Sequence, residues 1–458
     1  MKFIGQIASG NWQSNSLTDG KLTFSYQEIP ELFNKIQTCF SKIEDCIVFQ
    51  VENTIPCALT LLFLLEKGYS FILLPKENNE FVPKFCRYKL KTYSGTQLEP
   101  QEFLHIVENE AWNGEKIASE KLYMRTSGST GSPKMAVYSH AKLRGNILNC
   151  VQRLGLSSNS RVAIPVPLFH MYGLGAAFLP CVATGASIDL QKGANILRFL
   201  QREKAFNPNT VFMTPVFCET LLKGRRTARP YDLTVTAGDH MRGDTFAKYE
   251  SMFGCLVQLY GSTEMGAIAA AESKARTEIR AKTVGKPMQN VQIQLKKATQ
   301  NTGELWCHHK YSFDGYVDEN NNLIDLGSDY QDGWFRTKDY GLLWPNGELE
   351  VLGRSDHSIN RDGLLVFFVD IEKAIETLKD IEKSMVVSKG ESKRGKKLIA
   401  HCILAKNSIM TSDDIRTACF NLLPARAVPD NVVIVKSLPL LPNGKIDRQK
   451  LVGTCITT

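Results

Sequence analysis

An alternation of two patterns constrains this chain more than any other feature. Through about residue 270, apolar strand-like runs take turns with segments of helical period, and small or polar residues sit where the runs end. Residues 196 to 206, ILRFLQREKAF, carry apolar positions at helical spacing, and TVFMTPVF after them reads as a strand leading into a loop. YDLTVTAGDH is a strand ending in a glycine-containing turn, and CLVQLYGSTEMG repeats the arrangement. IPCALTLLFLL reads as a buried helix entering the strand YSFILLP; it is too short to span a bilayer and ends in Glu66, Lys67 and Gly68. Such alternation builds α/β layers in which helices cover largely parallel sheets, and ligands bind outside the carboxyl ends of the strands.

From about residue 285 the character changes. NVQIQLKKATQNTGELWCH and GLLWPNGELEVLGR are short strands with turns, the mark of a smaller β-rich region. A last segment, about 357 to 458, has its own helix (DIEKAIETLKDI) and strands (SMVVSK, LIAHCILAK, NVVIVKSL). At 458 residues the chain is too long for one ordinary domain. The expectation is a large α/β N-terminal domain over 1–355 that includes the β-rich part, and a small, mobile α+β C-terminal domain over 356–458.

Residues 126 to 134 read TSGSTGSPK. Gly128 and Gly131 open backbone angles closed to other residues, so amide N–H groups can converge on an anion. Ser127, Ser129, Thr130 and Ser132 add hydroxyl donors, and Lys134 adds a point charge. That is the composition of a phosphate cradle, although Pro133 stands where the common P-loop needs its second glycine. The same composition also suits a surface linker. The flanks argue otherwise, because KLYM precedes the loop and MAVYSHAKLRGNILN after it reads as a strand running into a helix.

Composition excludes some classes. With 43% hydrophobic and 22% charged residues the chain can bury large cores. The net charge of +8 is spread along it, and the densest basic run, KGESKRGKK, lacks interleaved aromatics, so a solvated loop is expected rather than a nucleic-acid grip. The twelve cysteines include no C-x-x-C pair, which fits neither a zinc site nor a disulfide framework and suits reduced thiols. The start, MKFIGQIASGNWQS, lacks an apolar signal region. A cytoplasmic protein with no membrane span and no nucleic-acid partner is expected.

Taken in order, the motifs resemble the adenylate-forming superfamily: acyl- and aryl-CoA synthetases, peptide-synthetase adenylation domains and luciferases. LTFSYQEI, ALTLLFLLEKGYSFILLP, TSGSTGSPK, PLFHMYGL, TAGDHM, YGSTEMG, GELW, DGWFRTKDYG, GRSDHSI and LPNGKIDR follow one another in that family's sequence, across nearly the whole chain. The resemblance implies ATP-dependent, Mg²⁺-requiring activation of a small carboxylic acid to acyl-AMP, with pyrophosphate release. Transfer to the thiol of coenzyme A would follow, or to the phosphopantetheine of an acyl carrier protein. An amide-forming ligase, an adenylate oxidase and a non-catalytic nucleotide-binding module remain as further readings.

By the same resemblance, Thr126, Ser127, Gly128, Ser129, Thr130, Gly131 and Lys134 would hold the triphosphate. Thr263 would contact the α-phosphate and Glu264 would help hold Mg²⁺. Gly238 and Asp239 would line the adenine site, with Tyr260 stacked on the ring. Asp339 would accept both ribose hydroxyls, supported by Arg354. Lys445, in LPNGKIDR, would bridge the carboxylate and the α-phosphate during adenylation. It would leave when the small domain rotates about Asp356 and brings the face around Gly363 into place for thiol transfer. His170 would flank the acyl channel or gate the second step; a lone histidine among apolar residues is also an ordinary structural one.

The pattern has departures. Lys338 stands where the family has glycine in T-G-D, which is expected to alter only a loop edge, and Asn360 replaces a frequent lysine near the thioester-stage turn. Amino-acid-activating members place aspartate after the aromatic of the pocket motif, whereas here His170 follows Phe169, which points away from an amino acid. The pocket is expected near His170, Thr214 to Phe217, Ala237 to His240 and Leu259 to Ser262, residues that do not separate an aromatic from an aliphatic acid. From Asp356 onward there are 16 Lys and Arg against 12 Asp and Glu, a net +4 that suits an acidic carrier or the phosphates of coenzyme A.

Overall fold

The computed structural model describes all residues except 77–80, 94–98, 127–133, 194, 240, 242, 300, 355–356, 362–363, 393–394, 441–445 and 455–458, with no side-chain description at 297, 299, 358, 360, 364–365, 391–392, 395 and 454. The chain divides into two compact units. The first holds Met1–Ile293 and Cys307–Phe335, the second Gln294–Trp306 and Arg336–Thr458. The boundary expected between 355 and 356 falls among the residues outside the description.

Two large sheets organise the first unit. One runs Lys286–Pro287, Gly266–Ala270, Gly254–Ser262, Tyr231–Ala237, Thr210–Met213, Arg161–Ile164, Ser187–Leu190, Ser16–Thr18, Thr23–Ser25. Its strands from Gly254–Ser262 to Ser16–Thr18 are parallel to their neighbours, so their carboxyl ends share one edge. The other runs Leu323–Ile324, Gly315–Val317, Lys134–Ser139, Lys121–Thr126, Phe71–Pro75, Ile47–Val51, Tyr88–Thr92, Leu104–Glu108. Its central strands are almost wholly buried, as parallel strands covered on both faces must be.

Local sequence explains the helices between them. Ile55–Lys67 has proline in its first turn and ends at Gly68, whose φ of 79° is the left-handed cap that glycine adopts without strain. Its face from Ile55 to Leu65 is buried throughout, which is why it reads as apolar all round. His140–Leu154 starts at Ser139, whose side chain accepts from the Lys142 amide, and ends at Gly155. Ile196–Phe206 matches the segment read from its period. Where TVFMTPVF was expected to run into a loop, the strand Thr210–Met213 passes straight into the helix Pro215–Gly224. Thr214 accepts from the Phe217 amide and Pro215 supplies a first-turn φ, so the stretch is a helix start.

The second unit contains a three-stranded sheet, Ile381–Ser392, Gly395–Leu404 and Asn431–Ile434, beside the hairpin Ser358–Arg361 and Leu364–Phe367. The helices Phe368–Ile375 and Ser412–Leu422 contribute Phe368, Ile371, Ile375, Ile415 and Cys419 to a core with Ile359, Val386 and Leu398. Arg361 is buried there and pairs with Asp430 while donating to the carbonyls of Lys396, Arg426 and Val428. Among the described residues no helix is long and apolar enough to cross a membrane.

His140 lies fully inside the first unit, its ring 5.9 Å from that of Phe3 and 6.0 Å from that of Phe71. Burial lowers its pKa to about 4. The unfolded chain therefore takes up this proton first as pH falls through about 6.5. Stability from this group is complete above that pH and is lost on the way down to 4. Replacement by phenylalanine removes the titration, so the stability of wild type relative to His140→Phe should fall by on the order of 3 kcal/mol between pH 7 and pH 4 in urea unfolding. A difference constant with pH would show that His140 titrates normally.

Candidate functional site

The strands Lys121–Thr126 and Lys134–Ser139 are antiparallel, with Thr126 directly opposite Lys134. The Thr126 hydroxyl donates to the Lys134 carbonyl at 3.3 Å. Ser127, Gly128, Ser129, Thr130 and Gly131 lie outside the described residues, and the two ends of their segment are joined by this rung. From the closing strand Lys134 extends its Nζ over the ring of Tyr316, 5.1 Å from the centroid. The Tyr316 hydroxyl in turn donates to Glu264 Oε1 at 2.5 Å. Burial, then the neighbouring Glu264 charge, push the Tyr316 hydroxyl far above its ordinary range, so it stays protonated and a donor.

Thr263 and Glu264 form the turn after the strand Gly254–Ser262. The hydroxyl of Tyr138, a buried residue, lies 3.0 Å from the Thr263 carbonyl and 2.7 Å from the Glu264 carbonyl. The Phe313 amide also donates to the Glu264 carbonyl, at 2.8 Å. Asn146 spans the next residues, donating to the Met265 carbonyl at 3.0 Å and accepting from the Ala267 amide at 3.1 Å. His309 Nδ1 sits 2.8 Å from the Met265 carbonyl, and Asn149 Nδ2 sits 3.3 Å from its Nε2. An amide NH₂ can only donate and a carbonyl can only accept, so Nδ1 carries the proton. Burial lowers His309 to about 4 and keeps it in that neutral form. Gly266, at φ 65°, has no room for a side chain: a Cβ would lie 1.9 Å from Asn146 Nδ2.

The expected acyl and adenine residues gather along one sheet edge. Thr214 follows Thr210–Met213, Gly238 and Asp239 follow Tyr231–Ala237, and Tyr260 lies near the end of Gly254–Ser262. His170 follows Arg161–Ile164 by one short loop, is half-buried, and has its ring centroid 4.6 Å from that of Phe169. That loop is clamped by Asn53, which donates to the carbonyls of Ile164 (3.1 Å) and Val166 (2.9 Å) and accepts from the Leu168 amide (3.0 Å). The π-helical segment Tyr172–Phe178 then turns the chain back, with the Tyr172 hydroxyl on the carbonyls of Met213 and Val235. His240 lies outside the described residues.

The strand Trp334–Leu343, which belongs to the second unit from Arg336 onward, pairs with Leu349–Arg354 and places Asp339 opposite Arg354, with Arg354 Nη1 3.9 Å from Asp339 Oδ1. Asp339 is largely buried and its amide donates to the Thr337 hydroxyl, which itself donates to the Leu305 carbonyl. Lys338 has φ 62°. A lysine in the left-handed region carries about 1–2 kcal/mol of strain that glycine avoids, so the departure from T-G-D reaches the backbone beside Asp339 rather than a loop edge alone. Lys445, Asp356 and Gly363 lie outside the described residues, as does the side chain of Asn360. The segment holding Lys445 is bounded by an antiparallel bridge between Leu440 and Ile446. Just past it Arg448 grips Glu372 through two bonds, 2.8 and 3.1 Å.

The motifs point to residues expected to meet a ligand, but not to the side chains that restrain those segments: Asn53, Tyr138, Asn146, Asn149, His309, Tyr316 and Arg448. One signal was available. Asn146 and Asn149 stand three apart on the face of His140–Leu154 that also carries Leu143, Ile147 and Cys150, and a polar residue on an apolar face must have a partner.

The chain belongs to the family of AMP-binding enzymes: the family's profile matches residues 91–317, and the profile of the AMP-binding enzyme C-terminal domain matches 370–445. The medium-chain acyl-CoA ligase ACSF2, mitochondrial, of Mus musculus is 26% identical over 350 residues, 71% of this chain; the match spans only 56% of that protein's length. ATP-bound MatB from Rhodopseudomonas palustris has the same fold, with TM-score 0.81 at 17% identity over 97% of each chain. So does the o-succinylbenzoate CoA synthetase MenE from Bacillus subtilis, solved with its acyl-adenylate, at TM-score 0.80 and 19% identity over 97% of this chain and 98% of that one.

Replacing Asn146 by leucine leaves the Ala267 amide without its side-chain acceptor in a buried turn, and the Met265 carbonyl with His309 alone. Asn146→Leu should cost about 1–3 kcal/mol in urea unfolding and weaken ATP binding measured by calorimetry. Unchanged values would show that the turn is held adequately by Tyr138 and His309.

Proposed function

We propose that the protein is an AMP-forming acid–thiol ligase, which joins a small carboxylic acid to AMP and passes the acyl group to coenzyme A. The observation that carries this reading is the array of Lys134, Tyr316 and Glu264, a cation and a carboxylate joined through one tyrosine at the closed base of residues 127–133. Family membership and the likeness to a medium-chain acyl-CoA ligase support it.

A carboxylate does not react with a thiol at neutral pH, because oxide is a poor leaving group. In the proposed first step a carboxylate oxygen of the acid attacks the α-phosphorus of ATP, the bond to the β-phosphate oxygen breaks, and pyrophosphate leaves with the electron pair. Two anions must meet, so the step needs positive charge and donors set in place beforehand. Lys134 and the hydroxyls and amides of residues 126–131 would supply them to the β- and γ-phosphates, and Thr263 to the α-phosphate. Asp339 would accept the ribose hydroxyls beside Arg354, while Gly238, Asp239 and Tyr260 would receive adenine.

Glu264 would hold Mg²⁺, which neutralises phosphate charge. Magnesium binds through one or two carboxylates together with substrate phosphates. A single carboxylate with one oxygen fixed by Tyr316 fits that habit, and among the described residues no cluster of three His, Cys, Asp or Glu offers a cage instead. In the second step the thiol sulfur attacks the acyl carbon and AMP departs. Asp356 is proposed as the hinge and Lys445 as the residue that acts in the first step only. The net +4 from residue 356 onward favours one second reading of the acceptor, the phosphopantetheine of an acidic carrier protein.

Acid-dependent ATP–pyrophosphate exchange, run without thiol across aryl, fatty and amino acids, tests the first step. One acid class should stand out; silence from every acid while ATP still binds would sink the enzyme reading. A second test separates the two steps. Lys445→Ala should lose exchange by a factor of about 10² or more yet keep transfer from preformed acyl-AMP to coenzyme A. Equal loss of both would remove Lys445 from its proposed role.

A further inference from the structure

The strand Gly315–Val317 is antiparallel to Lys134–Ser139, with Tyr316 directly opposite Ala136. Side chains two apart on a strand share a face, so Lys134 is the diagonal neighbour of Tyr316 on that face. Ala136 between them is the smallest side chain that keeps a Cβ, and the ring leans past it to lie 5.1 Å from Lys134 Nζ. The other end of the same ring meets Glu264. Phe313 packs edge-on against Tyr316 at 5.0 Å, and its amide holds the Glu264 carbonyl, so ring and carboxylate are fixed from one short segment.

We infer that Tyr316 is a positioning residue that sets Glu264 and Lys134 together: its hydroxyl fixes Oε1 of the carboxylate and leaves Oε2 for the metal, while its ring face seats the lysine that meets the phosphates. The inference rests on the ligase reading above and adds to it a residue that touches neither acid nor nucleotide. One side chain thereby couples the charge that neutralises phosphate to the carboxylate that holds the ion. Without the hydroxyl, Glu264 must be ordered by the incoming ion itself, at a cost in metal affinity. Without the ring, Lys134 loses its seat whether or not metal is present.

The two parts of the side chain separate in experiment. ATP binding is measured by calorimetry with no acid present, so that no turnover occurs, first in EDTA and then across a Mg²⁺ titration. Tyr316→Phe should raise the Mg²⁺ needed for half-maximal ATP binding about tenfold and leave metal-free ATP binding as in wild type. Tyr316→Leu should show the same shift and in addition weaken metal-free ATP by roughly three- to fivefold. In a Glu264→Gln background Tyr316→Phe should add nothing to the Mg²⁺ requirement. Ala136→Val, which crowds the ring with Tyr316 intact, should give a smaller shift in the same direction and covers the case in which a Tyr316 variant does not fold.

A Tm loss in Tyr316→Phe with no change in Mg²⁺ dependence would reduce the residue to packing and overturn the inference. So would an equal shift in the Glu264→Gln background. If wild type binds ATP in a Mg²⁺-dependent way and Tyr316→Phe matches it, this inference fails alone; if wild type binds no ATP, the ligase reading fails with it.

Discussion

One hydroxyl joins the two large sheets of the first unit where it matters most. Tyr138 belongs to the strand that closes the 127–133 segment, and its oxygen sits between the carbonyls of Thr263 and Glu264 at the end of a strand in the other sheet. A buried carbonyl without a partner costs about 1–3 kcal/mol, so the turn cannot drift from this contact cheaply. Burial, followed by the charge of Glu264, keeps the Tyr138 hydroxyl protonated far beyond its usual range. What is proposed for Lys134, Thr263 and Glu264 depends on the two sheets being held in this relation. Lys134 starts the strand that carries Tyr138, and Glu264 is one of the residues it restrains.

The supports around that contact come from separate places and serve one turn. Asn146 and Asn149 arrive on a helix, His309 and Phe313 at the end of the strand Thr302–His309 and beyond it, and Tyr316 on a short strand one place in from the sheet's edge. Each satisfies a backbone group or a carboxylate oxygen that has little access to water. At the neighbouring edge Asn53 does the same for the loop leading to His170, reaching across from the Ile47–Val51 side. The turn and the loop are thus segments whose freedom is removed by buried polar side chains of the strands, helix and bends behind them.

How much of this the sequence discloses depends on the range of the cause. The helix over Ile196–Phe206 and the strand Tyr231–Ala237 are set by periodicity and local turn chemistry, and both are legible. The helix start at Pro215 was missed because a capping threonine and a proline also look like the opening of a loop. Family order brings out Lys134, Glu264 and Asp339, since each sits inside a motif of the resemblance. Tyr138 and His309 have no such mark. A tyrosine in MAVYSH looks like ordinary core, and its meaning lies in a carbonyl about 125 positions away. The strain at Lys338 is likewise invisible until its backbone angle is known.

The Tyr138, Asn146 and His309 contacts have a consequence for heredity. A substitution at any of them would be scored as a folding defect by a stability assay and, on the proposed reading, as a catalytic one by an activity assay, although each of these side chains bonds backbone carbonyls. Drift at these positions is therefore confined to joint changes, in which a new buried donor arrives together with the loss of the old one.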